Sequence, residues 1–164
     1  MKNIYDGTIS QYVPEPYYSS TTAEISDDST LLVTGDVNHI EIYNLLDGTM
    51  ANYIEIDDPV SDVAFFHHSP KILAGKSWEE DEAIVWDYFT GEIRSYRTDL
   101  GYGYVSDYLE VQVTADDQFI RYFIDDTSNY TFNVETGAFI SEMHIGALVN
   151  PVKPEVAYIW KGDI

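Results

Sequence analysis

The chain has 164 residues, no cysteine and a formal net charge of −21, and 45% of its residues are hydrophobic. This length fits one domain with an ordinary hydrophobic core, and the absence of cysteine excludes disulfide bonds. Only eight basic residues stand against 29 acidic ones, which argues against direct binding to nucleic acid or to an anionic membrane, because both need clustered Lys and Arg.

The N-terminal segment, residues 1–6, lacks the apolar region of a signal peptide. No apolar run in the chain approaches the ~20 residues that span a bilayer. We therefore expect a soluble, cytoplasmic protein. The acidity is interpreted first as a source of solubility. A basic protein partner, divalent cations and mimicry of nucleic-acid charge are the alternatives.

Taken in chain order, the first predicted element is a lone strand at residues 8–13, after Asp6-Gly7-Thr8. Three units of four short strands follow, with the strands named a, b, c and d in each unit. Short runs rich in Ile, Val, Tyr and Thr, bounded by Gly, Pro, Asn and Asp, mark these strands. No segment has a sustained 3.6-residue period, so no helix is predicted. The predicted strands after the first are 23–26, 30–35, 38–44, 49–55, 60–66, 71–75, 82–88, 92–98, 108–113, 118–123, 129–134, 138–144 and 155–160.

A repeated motif defines the units. In each copy an aromatic residue lies five positions before a glycine, and Asn or Asp lies four before it. The copies are Ile42–Gly48, Val85–Gly91 and Thr131–Gly137. Their glycines are 43 and 46 residues apart, which lies in or near the range of propeller repeats. Tyr53 and Tyr96 each lie five positions after their glycine, whereas Glu142 breaks this pattern.

Each part of the motif has a physical role. The glycine accepts a positive φ, so it favours a tight hairpin between strands c and d. The Asn or Asp side chain can bond to nearby backbone and start the turn. The aromatic residues Tyr43, Trp86 and Phe132 are expected to fill the space between stacked sheets.

A second element recurs upstream of the motif. Segments that read as strand, polar turn and strand cover 23–35, 63–75, 111–122 and 148–160. They predict the a–b hairpin of each unit. The chain is then a single domain, 1–164, with repeats at 17–56, 57–99 and 104–144 and a split unit made of 7–13 and 145–164.

These features resemble the repeats of WD40-type β-propellers. The residues that carry the resemblance are Trp86-Asp87, with Tyr43-Asn44 and Phe132-Asn133 at matching places, and the match covers nearly the whole chain. It implies an all-β propeller of four-stranded antiparallel blades with about 3.5 sequence repeats. No Gly-His dipeptide precedes a repeat, so the Asp–His network of that family is not carried over. Quinoprotein-like or lactonase-like repeats are the alternatives.

The number of blades follows from how the ends pair. Pairing of both ends in one blade gives four blades within the chain, and exchange between two chains gives a ring of about eight in a homodimer. A fragment or an open stack is the third possibility. Open ends would leave unpaired strand edges, which proteins usually cover.

In a propeller the b–c and d–a loops share one face. Here that face collects ten carboxylates and three aromatic residues, which we interpret as a docking surface for a protein or a basic peptide. Its predicted members are Asp36, Asp57, Asp58, Trp78, Glu79, Glu80, Asp81, Glu82, Asp99, Tyr102, Tyr104, Asp125 and Asp126.

No cofactor, metal site or catalytic residue is predicted. The four consecutive acids at 79–82 do not match the ligand spacing of an EF-hand loop. The four histidines, His39, His67, His68 and His144, are interpreted as ordinary surface or strand residues.

The predicted function is therefore that of a non-catalytic protein-binding module. One alternative is an acidic inhibitor that mimics nucleic-acid charge. The other is a lactonase-like, metal-dependent propeller enzyme, which would need inward-facing polar residues on the innermost strands. For that reading strand a offers Glu24, Asp62 and Gln112.

Overall fold

The computed structural model describes residues 22–76, 82–97, 109–124 and 128–144, with the short strand pair at 148–149 and 156–157. These residues form strands and turns, without a helix. The first sheet contains β1 (Thr22–Ile25), β2 (Leu31–Gly35), β3 (His39–Asn44) and β4 (Met50–Glu55). The second contains β5 (Val60–Phe65), β6 (Lys71–Lys76), β7 (Glu82–Asp87) and β8 (Ile93–Tyr96). The third contains β9 (Leu109–Val113), β10 (Phe119–Ile124), β11 (Ser128–Asn133) and β12 (Phe139–His144).

All three sheets are antiparallel and keep the chain order of their strands from one edge to the other. The predicted strands of the three units lie within two residues of the observed ones. A separate two-stranded sheet pairs β13 (Leu148–Val149) with β14 (Val156–Ala157). This pair is the predicted hairpin of the last repeat. The predicted strand at 8–13 lies outside the described residues.

The predicted c–d turns are confirmed. Gly48, Gly91 and Gly137 have φ of 73°, 81° and 72°, a conformation that residues with a Cβ rarely adopt. The amide of each glycine donates to the carbonyl of the Asn or Asp four residues earlier, at 2.8–2.9 Å. The side chain of that residue also accepts a backbone amide of the turn, as Asp87 Oδ1 does from Thr90 N at 2.9 Å. These hydrogen bonds lower the pKa of Asp87.

Two hydrophobic clusters lie between the sheets. One joins the first sheet to the second, and the other joins the second to the third. The second sheet is therefore buried on both faces, and successive side chains go to opposite clusters, as the period of a strand requires. On β7, Ala83 and Val85 enter the cluster shared with the third sheet, whereas Ile84 and Trp86 enter the one shared with the first.

The motif aromatics are core residues, as predicted. Trp86 is 3% exposed and Phe132 is 2% exposed, and each packs in the cluster that its sheet shares with the preceding sheet. Tyr43 is also buried, at 8%. In the second and third sheets the aromatic position of the repeat therefore fills the inter-sheet space.

Glycine at the end of strand b lets the next sheet approach closely. A Cβ on Gly35 would lie 2.5 Å from Val60 Cγ1, and a Cβ on Gly75 would lie 2.7 Å from Leu109 Cδ2. Val60 and Leu109 begin the first strands of the second and third sheets, and both are fully buried. The same close contact thus recurs at both inter-sheet junctions.

The tyrosines five positions after the glycines are not structurally equivalent. Tyr96 is 2% exposed, whereas Tyr53 is 56% exposed. The β3–β4 ladder shifts register between Ile42 and Tyr43, and the β7–β8 ladder has no such shift. A one-residue shift moves every later side chain to the other face of the strand. The equivalence that the spacing predicts is therefore lost in the first sheet.

A side chain of the fourth strand reaches the next sheet from both the first and the second sheet. Asn52 on β4 donates to the Tyr88 carbonyl at 2.6 Å, and Arg94 on β8 donates to the Val134 carbonyl at 3.0 Å. Tyr88 and Val134 each lie two residues after the motif aromatic of their sheet. The first and second sheets are thus related by the same contact as the second and third.

Replacing Trp86 with alanine should destabilise the fold by about 3–5 kcal/mol, because it empties a large site in the cluster between the first two sheets. Phe89→Ala is the matched control, since Phe89 is 85% exposed in the same repeat and its loss should cost less than about 0.5 kcal/mol. Urea unfolding of both variants measures the two values. Equal losses would contradict the assigned packing.

Candidate functional site

The predicted acidic residues that the structure describes lie at one end of the sheets: Asp36 follows β2, Asp57 and Asp58 follow β4, and Glu82 begins β7. We call this the acidic loop end, and the opposite end, with the a–b and c–d turns, the turn end. The structure describes four predicted members, which are Asp36, Asp57, Asp58 and Glu82. The other members lie outside the described residues, namely Trp78, Glu79, Glu80, Asp81, Asp99, Tyr102, Tyr104, Asp125 and Asp126.

Two of the four meet at one ammonium group. Lys76 Nζ lies 2.8 Å from Asp58 Oδ2 and 2.8 Å from Glu82 Oε2. Asp58 follows β4 and Glu82 begins β7, so acids that are distant in the sequence converge on the last residue of β6. With two carboxylates and one ammonium, the group keeps a net negative charge.

The electrostatics of Lys76 follow from this geometry. Burial is the largest single influence and lowers its pKa, but the hydrogen bonds and charges of Asp58 and Glu82 together outweigh burial and raise the pKa. Lys76 therefore stays protonated at neutral pH and holds both carboxylates in place. Such a partly buried pair is screened by salt less than a surface pair.

The remaining two predicted acids differ in exposure. Asp36 is 8% exposed, and its carboxylate accepts the backbone amide of Val37. His39 Nε2 lies 3.9 Å from Asp36 Oδ2 and 3.4 Å from Glu41 Oε1. Asp57, in contrast, is exposed. Of the described members, Asp57 is therefore the most accessible to a partner.

Two acidic residues on the first strands of the sheets bond to the next sheet. A Glu24 carboxylate oxygen accepts the Phe65 amide at 2.5 Å, and Asp62 Oδ2 accepts the Val111 amide at 2.9 Å. These amides belong to edge strands, where unpaired N–H groups need an acceptor. Two of the three residues that favoured an enzyme reading thus have a structural role. Gln112 instead donates to Glu110 at 3.4 Å.

Ser61 connects the second sheet to the third sheet, and the sequence did not indicate this role. It is 7% exposed, and the β5–β6 ladder shifts register around it. Its hydroxyl donates to the Leu109 carbonyl at 2.8 Å and accepts the Leu109 amide at 3.0 Å. One serine side chain therefore satisfies both backbone groups of the first residue of β9. No pattern in the repeat distinguishes this serine from surface serines.

At the turn end, the histidines join successive a–b turns. His67 Nδ1 lies 2.6 Å from Asp27 Oδ2 in the preceding turn. The Asp117 carboxylate of the following turn accepts the amides of His67 and His68, both at 2.8 Å, and the Ser69 hydroxyl at 3.1 Å. His67 and His68 are surface residues, as predicted, but their contacts across the sheets could not be derived from the sequence.

Within the described residues, no group of three or more His, Asp or Glu is arranged to hold a metal ion. The described segments also contain no apolar helix long enough to cross a lipid bilayer. No protein-family model and no curated protein matches the chain. Functional inference therefore depends on the geometry itself.

Glu24 gives the junction between the first and second sheets a pH dependence. Burial of its carboxylate is the largest influence and raises its pKa above the ordinary 4.5. The charges of Asp62 and Asp27 act in the same direction, and the hydrogen bond from Phe65 opposes them. A raised folded-state pKa means that the contribution of Glu24 to stability is full below about pH 4.5 and is lost as the pH rises through the folded value.

We expect the unfolding free energy of Glu24→Gln, relative to that of the unmodified chain, to increase between about pH 4.5 and about pH 7, because the variant lacks this loss. Asp47→Asn is the control. The Thr49 hydroxyl and amide lower the pKa of Asp47 from 3.8. The difference in unfolding free energy between Asp47→Asn and the unmodified chain should therefore stay constant over that pH range. Urea unfolding at several pH values provides the test, and a flat Glu24→Gln difference would contradict it.

Proposed function

We propose that the chain is a non-catalytic protein-binding module of the β-propeller type, and that its acidic loop end docks a basic peptide or protein segment. The proposal joins two inferences. One concerns how the sheets continue around an axis, and the other concerns the charge at one end of that array.

The propeller geometry is supported by equivalent contacts at successive junctions. Gly35 meets Val60 as Gly75 meets Leu109, and the carboxylates of Glu24 and Asp62 each accept an amide of the following inner strand. A fixed relation repeated between units generates a ring or a superhelix. The WD40-like spacing of the motif aromatics favours the ring, with the innermost strands around its axis.

The single observation that carries the docking proposal is the convergence of Asp58 and Glu82 on Lys76. It brings acids from two loops to one place and leaves them with excess negative charge. Exposed Asp57 lies beside Asp58 in the same loop. Basic side chains of a partner can pair with Asp57 directly and can compete with Lys76 for the other two carboxylates. Such complementary charge raises the rate and specificity of association.

A labelled Lys/Arg-rich peptide should bind with an affinity that falls as salt increases. Asp57→Asn should weaken this binding about two- to fivefold, which is the scale of an exposed ion pair. Lys76→Gln should strengthen it, because two carboxylates lose their competing cation. Asp47→Asn makes the same charge change as Asp57→Asn at the turn end, and should have little effect.

Fluorescence anisotropy at about pH 7.5, with thermal melts to verify folding, measures these affinities. If Asp57→Asn and Asp47→Asn weaken binding equally, the attraction comes from the overall charge of −21 and not from the acidic loop end. If Lys76→Gln leaves the affinity unchanged, Asp58 and Glu82 do not take part in docking.

We also infer that residues 8–13 add a strand to the β13–β14 hairpin and so build the fourth sheet. A two-stranded hairpin alone is marginally stable in water, and Asp6-Gly7-Thr8 matches the Asp47-Gly48-Thr49 turn that precedes β4. This match assigns 8–13 the role of a strand d. The fourth sheet would then contain strands a, b and d.

Removal of residues 1–13 should lower the melting temperature of the whole domain by several degrees, on the order of 5 °C or more, because it takes a strand from that sheet. Removal of residues 1–5 retains the turn and the strand, and should change the melting temperature little. If the 14–164 chain melts like the full chain and remains monomeric, this fourth sheet is excluded.

A further inference from the structure

A second candidate site lies at the turn end, between the second and third sheets. It is a cleft of about 710 Å³. The second sheet contributes Lys71 and Asp87 from its hairpins and Arg94 and Tyr96 from β8, and the third sheet contributes the turn that contains Asn133 and Glu135. None of these residues belongs to the acidic loop end.

The cleft contains two cations, Lys71 and Arg94. Within the described residues neither forms an ion pair at 4 Å or less, whereas Lys76, at the other end of β6, pairs with two acids. The charge of Lys71 nevertheless acts on the Asp87 carboxylate, which lies opposite it in the β6–β7 ladder. In a chain with eight basic residues and a net charge of −21, two cations without a close ion pair in one cleft are unexpected. Their charges are available to a ligand.

Packing holds the guanidinium of Arg94 in the cleft. Nη1 donates to the carbonyls of Val134 at 3.0 Å and Glu135 at 2.6 Å. The group also lies over the Tyr96 ring, 5.6 Å from its centroid, and Nη2 lies against Gly137. Both hydrogen bonds to these carbonyls are donated by Nη1. Because a guanidinium has five N–H donors in a fixed fork, donors remain for a ligand carboxylate.

The more buried acids of the cleft are already engaged. The Asp87 carboxylate faces Lys71 across the β6–β7 ladder but accepts the amides of Phe89 and Thr90, at 3.0 and 2.9 Å. The Asp117 carboxylate accepts the groups of the His67–Ser69 turn. Glu92 and Glu135 are exposed, where solvent and salt screen their charges. The cleft thus offers the donors of Lys71 and Arg94, beside two exposed carboxylates whose charges solvent and salt screen.

An exposed aromatic side chain follows one of the cleft residues in the sequence. Phe89 is 85% exposed and lies two positions after Asp87, in the same c–d turn. A large aromatic side chain left in water at a turn commonly marks a contact site. Carboxylate recognition and apolar contact together fit a peptide that carries an acidic residue next to an aromatic one.

We propose that this cleft binds an acidic peptide segment, with a carboxylate held between Lys71 and Arg94 and a neighbouring apolar side chain on Phe89. A carboxylate fits better than a phosphate, because a dianion would be repelled more strongly by Asp87, Glu92 and Glu135. The site is independent of the acidic loop end, which takes ligands of the opposite charge.

The probe is a labelled peptide with a single carboxylate, acetyl-Gly-Glu-Phe-Gly-amide, measured by fluorescence anisotropy at physiological salt. Lys71→Gln and Arg94→Gln should each weaken its binding about fivefold or more. Lys76→Gln is the matched control, because it makes the same change on the same strand about 17 Å away. It should leave the affinity for this peptide unchanged.

Further measurements distinguish specific recognition of a side-chain carboxylate from other causes of peptide binding. A Gln-containing peptide with a free C-terminus tests whether the recognised carboxylate is terminal or belongs to a side chain. Equal weakening by Lys71→Gln and Lys76→Gln would overturn the proposal in favour of a general charge effect. Displacement of the peptide by inorganic phosphate at constant ionic strength would overturn it in favour of a phosphate site.

Folding is controlled separately, because Arg94 also packs on the third sheet. Thermal melts verify each variant, and Lys71→Gln decides the proposal if Arg94→Gln does not fold. Arg94→Lys keeps the positive charge but lacks the planar set of guanidinium N–H donors. This variant should therefore bind the peptide with an affinity between those of Arg94→Gln and the unmodified chain. The basic-peptide experiment at the other end can fail without affecting these results, because the two probes have opposite charge.

Discussion

The close approach of the first strands of the second and third sheets to the preceding sheet is the constraint on which the described structure depends. Gly35 and Gly75 permit it, since a Cβ at either position would overlap Val60 or Leu109. At this separation the side chains of one inner strand reach the backbone of the next. The hydrophobic clusters, the inter-sheet hydrogen bonds and the cleft between the second and third sheets all follow from this spacing.

The acidic composition contributes to the architecture as well as to the net charge. Glu24, Asp62 and Asp117 all accept backbone amides across an inter-sheet junction. A carboxylate is suited to this role because it has two acceptor oxygens and binds N–H donors more strongly than a neutral group does. Part of the acidity therefore satisfies edge-strand and turn amides, and the exposed acids remain for interactions with solvent or partners.

Strand β6 shows how charge is divided between the two ends of the array. Lys76, at the acidic loop end, is paired with Asp58 and Glu82, whereas Lys71, at the turn end, has no such pair within the described residues. The two ends thus differ in what they offer a ligand, although the strand that joins them is one of the most buried in the chain.

The sequence by itself determined the strands, the c–d turns and the burial of Trp86 and Phe132, because these depend on local backbone preference and on the spacing of the repeat. It also indicated that acidic loops share one end. Only the tertiary structure showed the bulge that turns Tyr53 outward. The same holds for the hydrogen bond of buried Ser61 to Leu109 and for the contacts of Asp117. These depend on register and on side chains about 40 to 50 positions apart that meet between sheets, and neither a local pattern nor a repeat spacing carries that information.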